Sequence, residues 1–301
     1  GMDSYLVTGP TGFLGYHVIK RLNADGIRPR VLIPTGIDAN SPALEVLKKQ
    51  EVMLVEGDIN DLEKLQIACK DIDIILHLHF AISFSGGEQT EKLLYENNVL
   101  GTRNLFEAAN QAGVSRIVVS SSSLAVGLNK EPEPLDEAAD WEKYSFSLPY
   151  ALSRRDAEQH VLTKTAPGFP EVIVVNPSFT LGPEDWGGTA PANKLVMRMS
   201  KPGFHITAPI GFGVLDVRDY AKGVLLAVAH GIPGHRYILS GHNITPDQLA
   251  AEVAKAKNFE PSKWQFSIRA WMIAPIIAIL VMWSKITGKP VRVVPSILEL
   301  W

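Results

Sequence analysis

Val7-Thr8-Gly9-Pro10-Thr11-Gly12-Phe13-Leu14-Gly15 places three glycines three residues apart between two apolar segments of different periodicity. Upstream, Ser4-Tyr5-Leu6-Val7-Thr8 reads as a short buried strand; downstream, Tyr16-His17-Val18-Ile19-Lys20-Arg21-Leu22 carries apolar residues at helical spacing. The stretch is therefore a strand, a tight turn and a helix start. Glycine permits a positive φ in the turn, close approach of backbone to an anion, and close packing of helix on strand. The unpaired N–H groups of a helix's first turn face such an anion, and the pyrophosphate of a dinucleotide suits the position. The spacing is G-x-x-G-x-x-G, one residue longer at its first step than the G-x-G-x-x-G fingerprint. On this stretch alone, an ordinary turn is the competing reading.

Outward from the turn, strands and helices alternate. Arg30–Ile33 reads as a second strand and Leu44–Gln50 as a helix; Val52–Asp58 is a third strand ending in Gly57-Asp58, and 61–70 a helix. Asp73–Leu78 is a continuous apolar strand, Glu91–Ala112 a helix stopped by Gly113, and Ser115–Ser120 a fifth strand. This rhythm predicts an α/β fold, a doubly wound parallel sheet of Rossmann type with ligands at the carboxyl ends of its strands. Pro149–Thr165 then reads as a helix and Glu171–Pro177 as a sixth strand. Gly- and Pro-rich segments follow, suited to a smaller lobe. The expected organisation is a dinucleotide-binding domain over 1–177, with 214–240 returning to it, and an interleaved substrate lobe over 178–301.

Composition narrows the function. The chain has 301 residues and a net charge of −3 with interspersed signs, which argues against nucleic-acid partners and a polybasic membrane patch. Its single cysteine, Cys69, lies in a helical run and reads as a buried apolar residue, in keeping with a reducing, cytoplasmic setting. No secretory start is visible, and Gly1 before Met2 reads as an expression scar. The uncharged run from Trp271 to Trp283 contains Pro275 and falls short of the roughly 18 residues of a membrane span. It reads as a buried or interface helix. No metal is expected: His77 and His79 alternate along a strand and point to opposite faces.

Further motifs fall at strand ends or on a helix facing the same crevice. They are Gly57-Asp58; Asn98-Val99-x-Gly101-Thr102-x-Asn104-Leu105-x-Glu107-Ala108-Ala109; Ser120-Ser121-Ser122-Ser123; Tyr150-x-x-Ser153; Asn176-Pro177-Ser178 with Leu181-Gly182-Pro183; and Asp216-Val217-Arg218-Asp219. With the glycine turn, they make the chain resemble the extended short-chain dehydrogenase/reductases, in the NAD-dependent epimerase/dehydratase family and its dihydroflavonol-reductase-like branch. The resemblance implies NAD or NADP as cofactor, a small-molecule substrate, and a homodimer paired through the helices near 91–112 and 149–165. It implies cofactor contacts from Thr8, Gly9, Thr11, Gly12, Phe13, Leu14, Gly15, Asp58, Ile59, His77, Leu78, His79, Ser120, Asn176 and Pro177. It further implies Tyr150 as general acid/base, with Ser122 (or Ser123, if the register slips by one) orienting the substrate oxygen, and Asn98 bracing a helix and a bound water.

Three departures from the family pattern matter. A tyrosine of pKa about 10 must be brought toward neutrality, and three pH units are worth about 4 kcal/mol. A cation about 5 Å away at an effective dielectric of about 20 supplies roughly 3 kcal/mol. The family's cation is a lysine four residues after the tyrosine; here the position holds Arg154, which keeps the charge but does not relay a proton. The Tyr16/Lys20 pair also matches Y-x-x-x-K, but it follows the phosphate turn, where it cannot reach a substrate carbonyl. The family's small residues after the fourth strand are replaced by His79-Phe80. The second strand ends Ile33-Pro34-Thr35-Gly36, with Asp38 and Arg30 nearby, which leaves NAD and NADP both open.

Phe84, Phe146, Phe179, Trp186, Phe204 and Phe212 sit in loops near the crevice and suit an apolar pocket as well as core packing. The expected activity is hydride transfer to or from a carbonyl or hydroxyl carbon of a small, partly apolar molecule. A sugar epimerase or dehydratase using the same tyrosine is one alternative. A non-catalytic dinucleotide sensor or scaffold is another.

Overall fold

A computed structural model describes residues 2–83, 86–129, 133–145, 147–188, 190–201, 205–207, 212–258, 265–267 and 270–288. The first half runs β1 (Tyr5–Thr8), α1 (Phe13–Ala24), β2 (Arg30–Ile33), α2 (Pro42–Lys49), β3 (Met53–Glu56), α3 (Leu62–Cys69), β4 (Ile74–His77), α4 (Glu88–Leu94), α5 (Gly101–Ala112) and β5 (Arg116–Ser120). A π-helical segment, Tyr95–Leu100, joins α4 to α5 without a break. The second half runs α6 (Trp141–Tyr144), α7 (Pro149–Leu162), β6 (Glu171–Pro177), β7 (Phe179–Leu181), α8 (Pro191–Met199), β8 (His205–Thr207), β9 (Phe212–Asp216) and α9 (Val217–His230). It closes with β10 (Arg236–Leu239), β11 (His242–Ile244), α10 (Pro246–Lys257), β12 (Gln265–Ser267) and α11 (Ala270–Thr287).

Seven strands form one parallel sheet in the order β10-β6-β5-β4-β1-β2-β3. This is the doubly wound sheet expected from the sequence. Its strands are apolar on both faces because helices cover both. Along β1, β4, β5 and β6 the residues alternate between two cores: Val7, Leu76, Val118 and Ile173 face α1, α2 and α9, while Leu6, Ile75, Ile117 and Val172 face α3, α5 and α7. Cys69 lies in the second core, where burial pushes its thiol up to about 12. No helix is long and apolar enough to cross a membrane among the described residues.

The segment returning after 214 divides between sheets. β9 pairs with β7 and β11 in a separate three-stranded sheet, whereas α9 packs against α1 and β10 joins the edge of the large sheet beside β6. α10 starts with a capping box: Thr245 Oγ1 accepts from Gln248 N, and Gln248 Oε1 accepts from Thr245 N.

Strand order reverses at β1, which has β2 on one side and β4 on the other. A buried hydrogen-bond chain fixes this junction. Thr8 Oγ1 accepts from the N–H groups of Leu78 and His79, both at 3.1 Å, and its hydroxyl donates to His77 Nδ1 at 2.7 Å. That leaves Nε2–H of His77 to donate to Thr102 Oγ1 at 2.8 Å, and the Thr102 hydroxyl donates to the Asn98 carbonyl at 2.8 Å. Burial, aided by the charges of His79 and Arg154, holds His77 well below the usual histidine range, so the ring is neutral.

The unfolded chain takes up a proton on this ring near pH 6.5 and the folded chain does not, so stability rises with pH through and below that value. Titration from about pH 7 to 5 is predicted to lose stability with a slope approaching 1.4 kcal/mol per pH unit from this one group. Urea unfolding of His77→Gln checks it. The variant is less stable at pH 7.5 but shows the flatter dependence.

Candidate functional site

A cleft of about 280 Å³ opens at the carboxyl ends of β1, β4, β5 and β6. Its floor is the glycine turn. Gly9 has φ +68°, and a Cβ there would lie 2.8 Å from the backbone of Leu78 and His79. A Cβ at Gly15 would sit 2.2 Å from the Gly9 carbonyl oxygen, so α1 can pass this close only without one. Gly12 is different. A Cβ there would meet nothing nearer than 3.6 Å, so its missing side chain leaves room on the cleft side. Gly12 is also the N-cap of α1, with no side-chain cap and no acidic residue in the first turn. An uncapped helix N-terminus lined by Thr11, Phe13 and Leu14 fits a pyrophosphate, which the sequence pattern implies.

The far wall carries Ser122 and Tyr150. β5 ends in Ser120, and the chain turns through Ser121 and Ser122 into a short 3₁₀ segment, Ser123–Ala125, capped by Ser122 Oγ accepting from Leu124 N. Tyr150, in the first turn of α7, shares a hydrogen bond with Ser122. Burial raises the Tyr150 phenol, against the pull of Arg154 and Ser122 in the other direction. The cation thus opposes the desolvation without overcoming it, where the sequence reading expected a phenol brought toward neutrality.

Behind the serine turn lies a buried polar cluster. Glu158 is wholly buried, with Oε2 accepting from Ser121 Oγ at 2.8 Å and from Asn176 Nδ2 at 3.1 Å, and it is ion-paired with Arg236. Asn176 Nδ2 also donates to the Ser122 carbonyl at 3.0 Å, and Arg236 donates to the Ala125 carbonyl. Glu158 thereby anchors both ends of the turn that presents Ser122.

The residues named from the sequence separate into three groups. Gly9, Thr11, Gly12, Phe13, Leu14, Gly15, Leu78, His79, Ser122, Tyr150 and Pro177 line the cleft. Thr8, His77, Asn98, Ser120, Arg154 and Asn176 are buried behind it as supports. Ser120, for example, has its hydroxyl bonded by Tyr220 at 2.7 Å, and Asn98 clamps Ala81 through both the N–H and the carbonyl. Asp58 is exposed at the β2–β3 edge, where Oδ1 accepts from Thr35 N, and Ile59 is buried beside it against Gly101. Neither of these last two is on the cleft wall.

Of the aromatics expected in loops, two lie in strands instead: Phe179, which opens β7, lines the cleft, and Phe212, which opens β9, packs edge-on against the Phe179 ring at 5.2 Å, while Trp186 packs on Tyr16 of α1. Phe84, Phe146 and Phe204 lie outside the described residues. Thr180, Pro191, Glu158 and Arg236 were missed, and Ser121 and Ser178 stood within quoted motifs without a role of their own. For Glu158 a signal existed: with Tyr150 and Arg154 it repeats every fourth residue along one face of α7. Arg236 carries no such mark, being brought in by β10.

The family model described as NAD dependent epimerase/dehydratase family matches residues 5–240. A Synechocystis protein bearing the provisional name dihydroflavonol 4-reductase is 30% identical over 92% of this chain and 80% of its own. Sterol demethylase protein B of Methylococcus capsulatus is 29% identical over 81% of this chain and 71% of its own. Among solved structures, that of gox2253 superposes with a TM-score of 0.81 at 30% identity, covering 99% of this chain and 88% of the other.

Glu158→Ala leaves the Arg236 charge buried without its partner and is predicted to cost about 3 to 5 kcal/mol. Urea unfolding measures this; a loss under about 1 kcal/mol, the size of an exposed ion pair, contradicts it.

Proposed function

The chain belongs to the NAD-dependent epimerase/dehydratase family, and from that premise we propose that it is an oxidoreductase with Tyr150 as its general acid/base, acting on a small, partly apolar ketone or alcohol. When bound, the nicotinamide supplies or takes up the hydride. In the reducing direction the Tyr150 hydroxyl gives its proton to the substrate oxygen as the hydride reaches carbon. Ser122 holds that oxygen by hydrogen bond, and the buried Arg154 charge offsets the negative charge left on the phenol. In the oxidising direction the same groups work in reverse.

The observation that carries this reading is the Tyr150–Ser122 pair on the cleft wall facing the uncapped start of α1, with a cation one helical turn behind the phenol. The lining also bears on substrate. Phe80, Ile82, Leu124, Phe179, Ala190 and Pro191 supply apolar surface, and no Lys or Arg lines the cleft among the described residues. A sugar nucleotide brings a second pyrophosphate and calls for cations there, which favours a reductase or dehydrogenase over an epimerase. The sterol in the name of the Methylococcus relative supports the same choice.

For the cofactor we propose NAD over NADP. Arg30, the nearest arginine in sequence to the end of β2, donates to the Ala68 and Lys70 carbonyls, both at 2.7 Å, and is thus committed at the end of α3. Between Pro34 and Asn40 the charged residue is Asp38, suited to a ribose hydroxyl and repelled by a phosphate.

With a panel of apolar ketones, Tyr150→Phe is predicted to lower NADH-dependent turnover by about 10² to 10⁴ while leaving NADH binding within about threefold. NADH is predicted to raise the melting temperature more than NADPH at equal concentration. Turnover of Tyr150→Phe within threefold of the parent overturns the assignment; a larger shift with NADPH overturns the cofactor choice.

A further inference from the structure

Two of the chain's departures from its family pattern, Phe80 and Arg154, meet in space. The Arg154 guanidinium carbon lies 4.3 Å from the centroid of the Phe80 ring. Arg154 is 1% exposed; its Nη2 donates to the Ser120 carbonyl, whereas Nε and Nη1 are buried without a hydrogen-bond partner. A buried guanidinium with unmatched donors is costly to hold, and a desolvated π face is one of the few uncharged surfaces that compensates it.

The ring is held in turn. Asn98 Oδ1 accepts from Ala81 N at 2.7 Å, and its Nδ2 donates to the Ala81 carbonyl at 2.9 Å and to Ser153 Oγ at 3.0 Å. One amide thus ties the residue after Phe80 to the residue before Arg154. Phe80 lines the cleft and packs against the cluster containing Leu148 and Tyr150, while Arg154 does not reach the cleft wall. The ring stands between the cation and the space where substrate and nicotinamide would lie.

We infer that Phe80 is a positioning residue: its ring fixes the Arg154 guanidinium beside the Tyr150 phenol and closes it off from the cleft, so that Phe80 and Arg154 act as one unit in place of the family's lysine. The inference rests on Tyr150 being the proton donor. In this arrangement Arg154 acts on the phenol through its charge alone. The other groups bearing on the pair are Ser122 after β5, Glu158 on α7, Tyr220 on α9, and His77 and His79 at the end of β4.

The test is a double-mutant cycle read at the phenol itself, on the whole chain without cofactor. A fluorinated tyrosine at position 150, which titrates nearer neutrality, reports its ionisation by ¹⁹F NMR. Phe80→Leu is expected to raise that midpoint by about half a pH unit or more, and Arg154→Met by about one or more, because each removes or releases the cation. In the Arg154→Met background Phe80→Leu is expected to add less than about 0.2. An equal effect of Phe80→Leu with and without the arginine, or no effect with it, overturns the inference. Should Arg154→Met fail to fold, Arg154→Lys takes its place, since it keeps the charge and loses the planar face. The effect of Phe80→Leu must then fall to less than half, and an undiminished effect overturns the inference. A Tyr150→Phe variant that keeps its turnover removes the proton-donor assignment but leaves this coupling measurable, so the two failures are distinguishable.

Discussion

The structure depends on the contact between the Gly9 backbone and that of Leu78 and His79, 2.8 Å from where a side chain at Gly9 would begin. This approach brings the ends of β1 and β4 together where the strand order reverses. Thr8 closes the same junction by accepting two N–H groups from β4's extension. With that junction set, α1 leaves the sheet with its uncapped N-terminus toward the cleft, and the extension of β4 carries His79 and Phe80 along the cleft wall. The glycine-turn end and the Phe80 wall of the cleft are thus two consequences of one backbone contact.

Charge at the site is handled by burial behind the wall. Arg154, Glu158 and Arg236 are all buried or nearly so, yet none lines the cleft. Such groups are expensive to desolvate: Glu158 is held by Ser121, Asn176 and Arg236, whereas Arg154 has one hydrogen bond, to the Ser120 carbonyl, and the face of the Phe80 ring. The result is a cleft with a largely apolar lining, the hydroxyls of Tyr150 and Ser122 on its wall, and a positive charge felt from behind. That combination suits the proton transfer proposed for Tyr150.

The sheet was legible because parallel strands buried on both faces leave long apolar runs, and because the glycine spacing marks a turn that needs glycine at Gly9 and Gly15. Tyr150 and Ser122 were legible for a related reason: each sits at an element's end, where a motif has a fixed neighbourhood. The division between wall and support was not legible. Ser120 and Ser121 are adjacent and alike in sequence, yet the hydroxyl of one bonds Tyr220 and that of the other bonds Glu158. Only the strand's pleat and the approach of α9 and α7 decide which is which. Arg236 was out of reach because it arrives from the last strand added to the sheet, and the pairing of Phe80 with Arg154 because nothing local links β4 to α7. His79-Phe80 and Arg154 read separately as two of the three departures; in the folded chain the Phe80 ring and the Arg154 guanidinium are in contact.

A nicotinamide dinucleotide is expected to span this cleft from the start of α1 to Tyr150. Diffraction from crystals grown with NAD tests it most directly. The expected density has the pyrophosphate on the backbone N–H groups between Thr11 and Leu14, the adenosine toward Asp58, and the nicotinamide on the side of Ser122 and Tyr150. A pyrophosphate bound away from the glycine turn, or a nicotinamide directed toward Asp58, would contradict it.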